Sequence, residues 1–511
     1  MAAMVASTSR TKRDPTDPRR PPYIGRRDPP KDRYDAVIIG GGIGGLVCGS
    51  LLARAGLEVL LVEQHTIVGG YCTTFRRKGF VFDSATHFYP LLGNPSTMTG
   101  RLLADLGVPT GWVKMDPVDR FHLPDGSSFS VDADLSSYLE RLKAEFPEEA
   151  AAIDGFFVEV QQLYYLGLLH YFRGRQSERL EPFVHLTLRD ALERHFRDRR
   201  LKLLLAADCG HWGSPPERVS YVFDSMLRVS YFLGNYYPVG GSQIFADDLG
   251  RRLEALGGHV MLRTMAKRIV VESGRAVGVE LESGPPKKRI RYRVMADHII
   301  ANGDMLTVLD DLLDAELVDP ELRARLAALR PTMPCYLCHV GLKDVPRELL
   351  EEVAGYHWTG WDPDRVGLGD LTFKVFVPTL YEPRMAPDGG HVVILQRVTE
   401  IDFEAIDDWA AHKRALEEHA WSNLRRLIPG LDEKTVVMSS ASALTSYRFT
   451  LNSRGAMLGW EMSPEQLGSG RPEVEGPLEG LSFVGHWTRP GGGITPVIVS
   501  AMRVAELVTG S

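Results

Sequence analysis

Three features of this 511-residue sequence predict an α/β fold built on a parallel sheet. The first is the run Tyr34-Asp-Ala-Val-Ile-Ile-Gly-Gly-Gly-Ile-Gly-Gly-Leu46. Its β-branched Val37, Ile38 and Ile39 read as a buried strand, and Gly40, Gly42 and Gly45 fall on the G-x-G-x-x-G spacing. The second is the helical period of Leu46, Leu51 and Leu52, closed by Gly56. The third is another apolar strand, Val59 to Val62, ending on Glu63. Strand, glycine turn, helix and acid-tipped strand make a Rossmann-like dinucleotide unit.

Each part has a physical job. Gly40 permits the tight turn, Gly42 lets backbone approach a pyrophosphate, and Gly45 lets helix and strand pack closely. Ile43 and Gly44 open the helix, whose free N–H groups and dipole favour a phosphate. Glu63 can accept hydrogen bonds from a ribose hydroxyl. A glycine run alone would suit an ordinary tight turn; the flanking strands, helix and acid favour the dinucleotide.

Bulk properties narrow the class. The length calls for two intertwined domains. A formal net charge of −7 argues against non-specific nucleic-acid binding. Cys48, Cys72, Cys209, Cys335 and Cys338 are too sparse for a disulfide framework. Cys335-Tyr-Leu-Cys338 has C-x-x-C spacing inside an apolar strand and lacks a second pair, so core packing is expected and no metal site. No apolar stretch reaches the roughly 18–20 residues that span a bilayer.

In order, residues 1–33 are Pro-, Arg- and Asp-rich and are expected to form a disordered, solvated tail. Their first dozen residues also suit an organelle transit segment. The first piece of the nucleotide domain covers 34–113. A first substrate-domain segment covers 114–235, with strands at Phe121–Leu123 and Ser128–Val131 and an aromatic helix over Ala151–Phe172. That stripe suits either a greasy tunnel wall, with a membrane-dipping face, or ordinary core. Residues 236–330 return to the nucleotide domain through a helix ending at Leu256, strands and a hairpin over Ala266–Leu281, and a buried strand ending at Asn302. A second substrate-domain segment covers 331–470. Residues 471–511 close the nucleotide domain with a strand, a Pro-Gly-Gly-Gly loop and a helix opened by Thr495-Pro496.

Several of these passages resemble one superfamily. Val68-Gly69-Gly70, just past Glu63, resembles the extended fingerprint of FAD-dependent amine oxidases and phytoene desaturases. Tyr237-Pro-Val-Gly-Gly and Gly274-Arg-Ala-Val-Gly-Val279 are similar to the second cofactor segment of phytoene desaturase relatives. Leu481 to Arg503 resembles the C-terminal motif of phytoene desaturases, carotenoid isomerases and retinol saturases, with His486 where many members have Asp. The resemblance implies a discontinuous, glutathione-reductase-type FAD domain with an interleaved α+β substrate domain. It implies FAD contacts at Gly69, Gly70, Gly485, Gly493, Ile494 and Thr495, with the last helix facing the flavin and favouring hydride acceptance. It also implies adenine pairing by backbone at or next to Val270, and a place for His87 beside the reacting bond.

The reaction expected from that resemblance is hydride transfer between flavin N5 and a carbon of a long apolar polyene, a carotenoid or related isoprenoid, as desaturase or saturase. A redox-neutral isomerase of a carotenoid or polyunsaturated acyl chain is the alternative on the same fold. An amine oxidase is a weaker reading, with Lys374 expected at the surface of an alternating strand. A non-catalytic lipid-binding or assembly protein is the reading of another class. No second G-x-G-x-x-G unit is present, so an external electron donor or acceptor is expected. So is peripheral membrane association from the cytoplasm or in a plastid-like organelle.

Overall fold

Val37, Ile38 and Ile39 form the strand their side chains favour. In the computed structural model, which describes residues 14–175, 177–207, 209–285, 287–365, 372–398 and 400–510, the strand Arg33–Ile39 lies inside a seven-stranded sheet. The order is His259–Met261, Val59–Val62, Arg33–Ile39, Ile290–Ala301, Arg275–Ser283 and Thr264–Glu272, with Leu481–Phe483 beside Ile290–Ala301. Ile38 faces Leu61 on one side and Ile300 on the other, both in parallel register. The last two strands of the order form an antiparallel hairpin.

Both faces of the parallel part are covered, so its central stretches, residues 36–39, 59–62 and 299–301, are continuously apolar rather than alternating. Helices Ile43–Arg54, Ser242–Ala255 and Ile494–Thr509 bury Leu46, Leu249, Ile498 and Val504 against one face. On the other face Val37, Leu60 and Ile299 pack with Met305, Val308, Trp460 and Trp487.

A second seven-stranded sheet, mainly antiparallel, runs Thr435–Ala441, Cys335–Lys343, Gly390–Val398, Thr372–Phe376, Gly355–Trp358, Asp119–His122 and Ser128–Val131. Its alternation sorts side chains between two environments. Tyr336, Cys338 and Val340 pack with Leu416, Ala420 and Leu424 of helix Trp409–Leu427. Cys335, Leu337 and His339 face the opposite way, into the interior cavity. The C-x-x-C thiols therefore sit on opposite faces of one strand, each pushed up to about 12 by burial.

Helix Ala150–Gly167 continues as a π-helical turn, Leu168–Phe172, and packs on helix Tyr221–Leu233. Phe156, Phe157, Val160 and Leu163 are core. The two readings of the aromatic stripe thus divide along the helix: its middle is core, and its end reaches the cavity through Tyr164, Leu168 and Phe172.

Residues 14–33 depart from the expected solvated tail. Tyr23 is 5% exposed, and its amide donates to Asp247 Oδ2 at 3.0 Å. Arg20 pairs with Asp248 at 3.2 Å, and Arg26 bridges to Met261 at the sheet edge. Buried Asp247 and Asp248 need donors and cations. The basic tail supplies them, and one aromatic anchor and a few charges fix a segment poor in apolar residues. The expectation of disorder over residues 1–13 lies outside the described residues.

Candidate active site

A cavity of about 1050 Å³ lies between the carboxyl ends of the parallel strands and the second sheet. It exceeds the usual size of a single small-molecule pocket, as suits a cofactor and a substrate together. Its first half is a cradle of backbone. Gly40, Gly42, Ile43 and Gly44 line it, with Glu63, Gly69, Gly70, Gly485, Gly493, Ile494 and Thr495.

The cradle is shaped for a close ligand. A Cβ on Gly44 would lie 2.8 Å from Asn302 Oδ1, and one on Gly70 3.3 Å from the Cα of Gly42. The N-caps of the two helices that open here, Gly42 and Gly493, carry no side-chain cap. Their first-turn N–H groups are therefore left for an anion. Glu63 is 7% exposed and held by the amides of Gly41 and His65, both at 2.8 Å. Each carboxylate oxygen keeps a lone pair for a ribose hydroxyl. These donors, this acceptor and the glycine-lined space fit a flavin dinucleotide.

Two residues of the expected cofactor set, Gly45 and Val270, do not line the cavity. Gly45 lies behind the wall, where a Cβ would come within 2.3 Å of Gly40 O, so its work is helix-to-strand packing. Val270 is away from the cavity; Thr264, Met265, Ala266 and Lys267 line it instead. The Thr264 amide donates to Glu63 O at 2.9 Å, which starts that strand beside the acid. Val270 is six residues further along, roughly 20 Å at strand rise.

The second half is an apolar arm. Phe88, Tyr164, Leu168, Phe172, Trp212, Phe223, Met226 and Leu227 line it. His87 stands at its wall, 6% exposed and stacked on Phe376 at 4.6 Å. Its Nδ1 lies 3.0 Å from Ala85 O, and burial, with Lys374 and His211 nearby, pushes its pKa down to about 3. His486 also lines the cavity, next to Tyr71, and burial lowers it to about 4.

Lys374 corrects the expectation of a surface lysine. It is 3% exposed, and its Nζ bonds Asp119 Oδ2 at 2.6 Å. Strand Thr372–Phe376 is buried on both faces, so its polar-apolar alternation does not report solvent. Burial pushes the Asp119 carboxyl up, but Lys374 and His211 together outweigh it and hold it down at about 2. Sequence reasoning also missed His211, which lines the arm, and Asp119 behind it; 92 residues separate them, with no local pattern to join them. Asn302, whose Nδ2 donates to Gly40 O at 3.1 Å, was visible only as the polar end of a strand.

A glycine-lined cradle at the ends of parallel strands, open to an apolar arm beside the second sheet, is the architecture of an enzyme that holds a cofactor next to an apolar space. The sequence matches the family described as flavin containing amine oxidoreductase over residues 43–509, and the chain belongs to that family. Its relatives include a chloroplastic prolycopene isomerase of Daucus carota, 26% identical over 93% of this chain and 80% of that protein. An all-trans-retinol 13,14-reductase of Rattus norvegicus is 26% identical over 89% and 82%. A zeta-carotene-forming phytoene desaturase of Myxococcus xanthus is 25% identical over 92% and 93%. These matches bear out the resemblance drawn from the motifs. Among solved structures, an oxidoreductase from Methanosarcina mazei superposes with TM-score 0.66 at 19% identity, over 92% of this chain and 99% of that one. Putrescine oxidase bound to putrescine gives 0.65 at 16%, over 94% and 99%. These two speak for the fold.

Proposed function

We propose that this chain binds FAD and transfers hydride between the flavin and a carbon of a long apolar polyene, as a desaturase or saturase. The observation that carries this is the single cavity joining the glycine cradle to the apolar arm. Bound in the cradle, the flavin supplies two-electron chemistry. The chain's residues do the rest. The N–H groups at Ile43 and Gly44 would hold the pyrophosphate, Glu63 the ribose, and backbone near Ala266 the adenine. The start of helix Ile494–Thr509 lines the cavity and would offer a positive dipole end to the negative charge of a reduced flavin. Phe88, Trp212 and Leu227 align the chain of the substrate and exclude water.

A redox-neutral isomerase is the second reading, favoured by the match to prolycopene isomerase along 93% of this chain. One assay separates the two. The holoprotein is incubated anaerobically with phytoene, prolycopene or all-trans-retinol, with oxidised and then reduced flavin. Loss of two hydrogens with flavin reduction supports a desaturase, and gain with flavin oxidation a saturase. An isomer of unchanged mass made only with reduced flavin supports the second reading. No reaction with any of the three would refute the polyene assignment.

Such a substrate resides in bilayers, so the protein is assigned a peripheral position on a membrane surface. Val158, Tyr165 and Leu169 support it: they are 54%, 67% and 41% exposed and share a face of the arm's own helix and π-turn. Among the described residues no helix is long and apolar enough to cross a membrane.

A further inference from the structure

The apolar arm ends against a charged group that the reading above leaves unused. Asp119 Oδ2 takes the Lys374 ammonium at 2.6 Å, and both side chains are 4% exposed. The same oxygen lies 3.5 Å from His211 Nε2, and the His211 ring lines the cavity. A buried ion pair is a poor way to gain stability, because desolvation offsets the attraction and apolar side chains would fill the same space. A carboxylate fixed behind a cavity-lining imidazole is, however, the arrangement that orients a base and steadies the cation it becomes.

The ring is also in the right place. Thr495, in the first turn of the last helix, donates to Pro90 O at 3.1 Å. Phe88, two residues before, lies 4.5 Å from the His211 ring. His211 is thus one aromatic ring away from the segment that touches the cradle helix. Tyr231 and Tyr356 pack on its other sides. His87 lacks such support: its Nδ1 is directed to a backbone carbonyl and its ring to Phe376.

We propose that His211 is the base that takes the substrate proton in desaturation, and that Asp119, fixed by Lys374, is the positioning residue that sets its tautomer. The proposal rests on the polyene reading above. Two adjacent C–H bonds of the substrate break. One hydrogen leaves with its electron pair to the bound flavin, the two-electron oxidant. The other leaves as a proton to His211 Nδ1, and the electron pair left behind forms the new double bond. The imidazolium then bonds through Nε2–H to the Asp119 carboxylate. Saturation runs the same transfers backwards. Burial and then Lys374 hold the free imidazole down at about 4, against the pull of Asp119, so the resting ring is the base form at neutral pH.

The test has two arms on the holoprotein. Nitrogen-15 histidine NMR at pH 7 is expected to find His211 neutral with its proton on Nε2, and Asp119→Asn to disturb that tautomer. In single-turnover flavin reduction by phytoene, His211→Ala is expected to lose about 100- to 10,000-fold in rate. Flavin content and KM should change little, and added imidazole should restore part of the rate. His211→Gln, closer in shape, should fail equally, and a folded Gln variant guards against an Ala variant that merely unfolds. A proton on Nδ1, a His211→Gln rate within a few-fold of wild type, or a loss that imidazole never rescues would each overturn the proposal. A wild type inert to phytoene, prolycopene and retinol would instead refute the polyene reading, and the proton-transfer step would fall with it, whatever the tautomer.

Discussion

The glycine cradle and the apolar arm share one cavity but are made by opposite means. The cradle is backbone from short stretches at 40–44, 69–70 and 493–495, set by the ends of parallel strands. The arm is side chains gathered from residues 88, 164–172, 211–212 and 223–227. The backbone site has little room to vary, because a Cβ added at Gly42 or Gly44 comes within 3.0 Å of the Asn302 side chain. A side-chain site exchanges one apolar group for another at a cost usually under about 1.5 kcal/mol. On the function proposed above, the rigid cradle would fix the cofactor and the adaptable arm would choose the substrate.

Gly44→Val tests the rigid half hardest. A Cβ there would stand 2.8 Å from Asn302 Oδ1 and 3.1 Å from Val497 Cγ1, and a branched side chain would fill the phosphate approach. Flavin affinity should fall by about 4 kcal/mol, roughly a thousandfold, since 1.4 kcal/mol is tenfold. Absorbance of the flavin band after gel filtration reads this out; full retention of flavin would break the cradle assignment.

Asp83, buried beside the cavity-lining Ser84, should give the next largest effect. It is 1% exposed and bonded by the Tyr237 hydroxyl and the Ser242 amide, and burial outweighs these bonds to raise its pKa to about 6. A raised carboxyl stabilises the fold below its unfolded pKa and loses that contribution as pH rises through the folded value. Wild type should therefore lose about 3 kcal/mol between pH 4 and pH 7 that Asp83→Asn does not lose. Thermal unfolding of both proteins across that range checks the sign. Identical pH profiles would mean that Asp83 is ionised in the fold at no cost.

Leu227→Ala is the counterpart on the adaptable half. Leu227 is 8% exposed on the arm wall. Flavin content should be unchanged, while the KM for the best polyene rises about tenfold, the 1–3 kcal/mol scale of a lost apolar contact. Flavin loss in this variant would erase the distinction between the halves.

The same distinction explains what was legible in the sequence. Gly40 to Glu63 reads out because spacing along the chain and spacing in space coincide there. Val270 falls outside the cavity because the start of its strand is set by the bond from Thr264 to Glu63, across two hundred residues. Lys374 misleads because period-2 alternation distinguishes two faces without saying that one is wet. Its faces are packed by Phe373 and Val375 on one side and Phe376 and Tyr356 on the other. His211 and Asp119 carry no local pattern, since only the meeting of a helix and a strand makes them neighbours. Tyr23 shows the converse, one anchor in a polar stretch that composition alone assigns to solvent.

The smallest effect belongs to the outer surface of the arm. Tyr165 is 67% exposed, and its ring packs edge-on at 5.4 Å against Tyr164, which lines the cavity. If this face meets a bilayer, part of the Tyr165 ring leaves water on binding. At about 25 cal/mol per Å² that is about 1 kcal/mol for partial burial. Tyr165→Ser should then weaken liposome partitioning about fivefold while leaving flavin content and folding intact. Turnover of a polyene in detergent should stay at the wild-type rate, and turnover from liposomes should fall with the partitioning. Because the residue touches the wall from outside, equal losses in both media would place the effect in the arm itself. The exposed stripe would then be support for the wall, with no part in reaching the membrane.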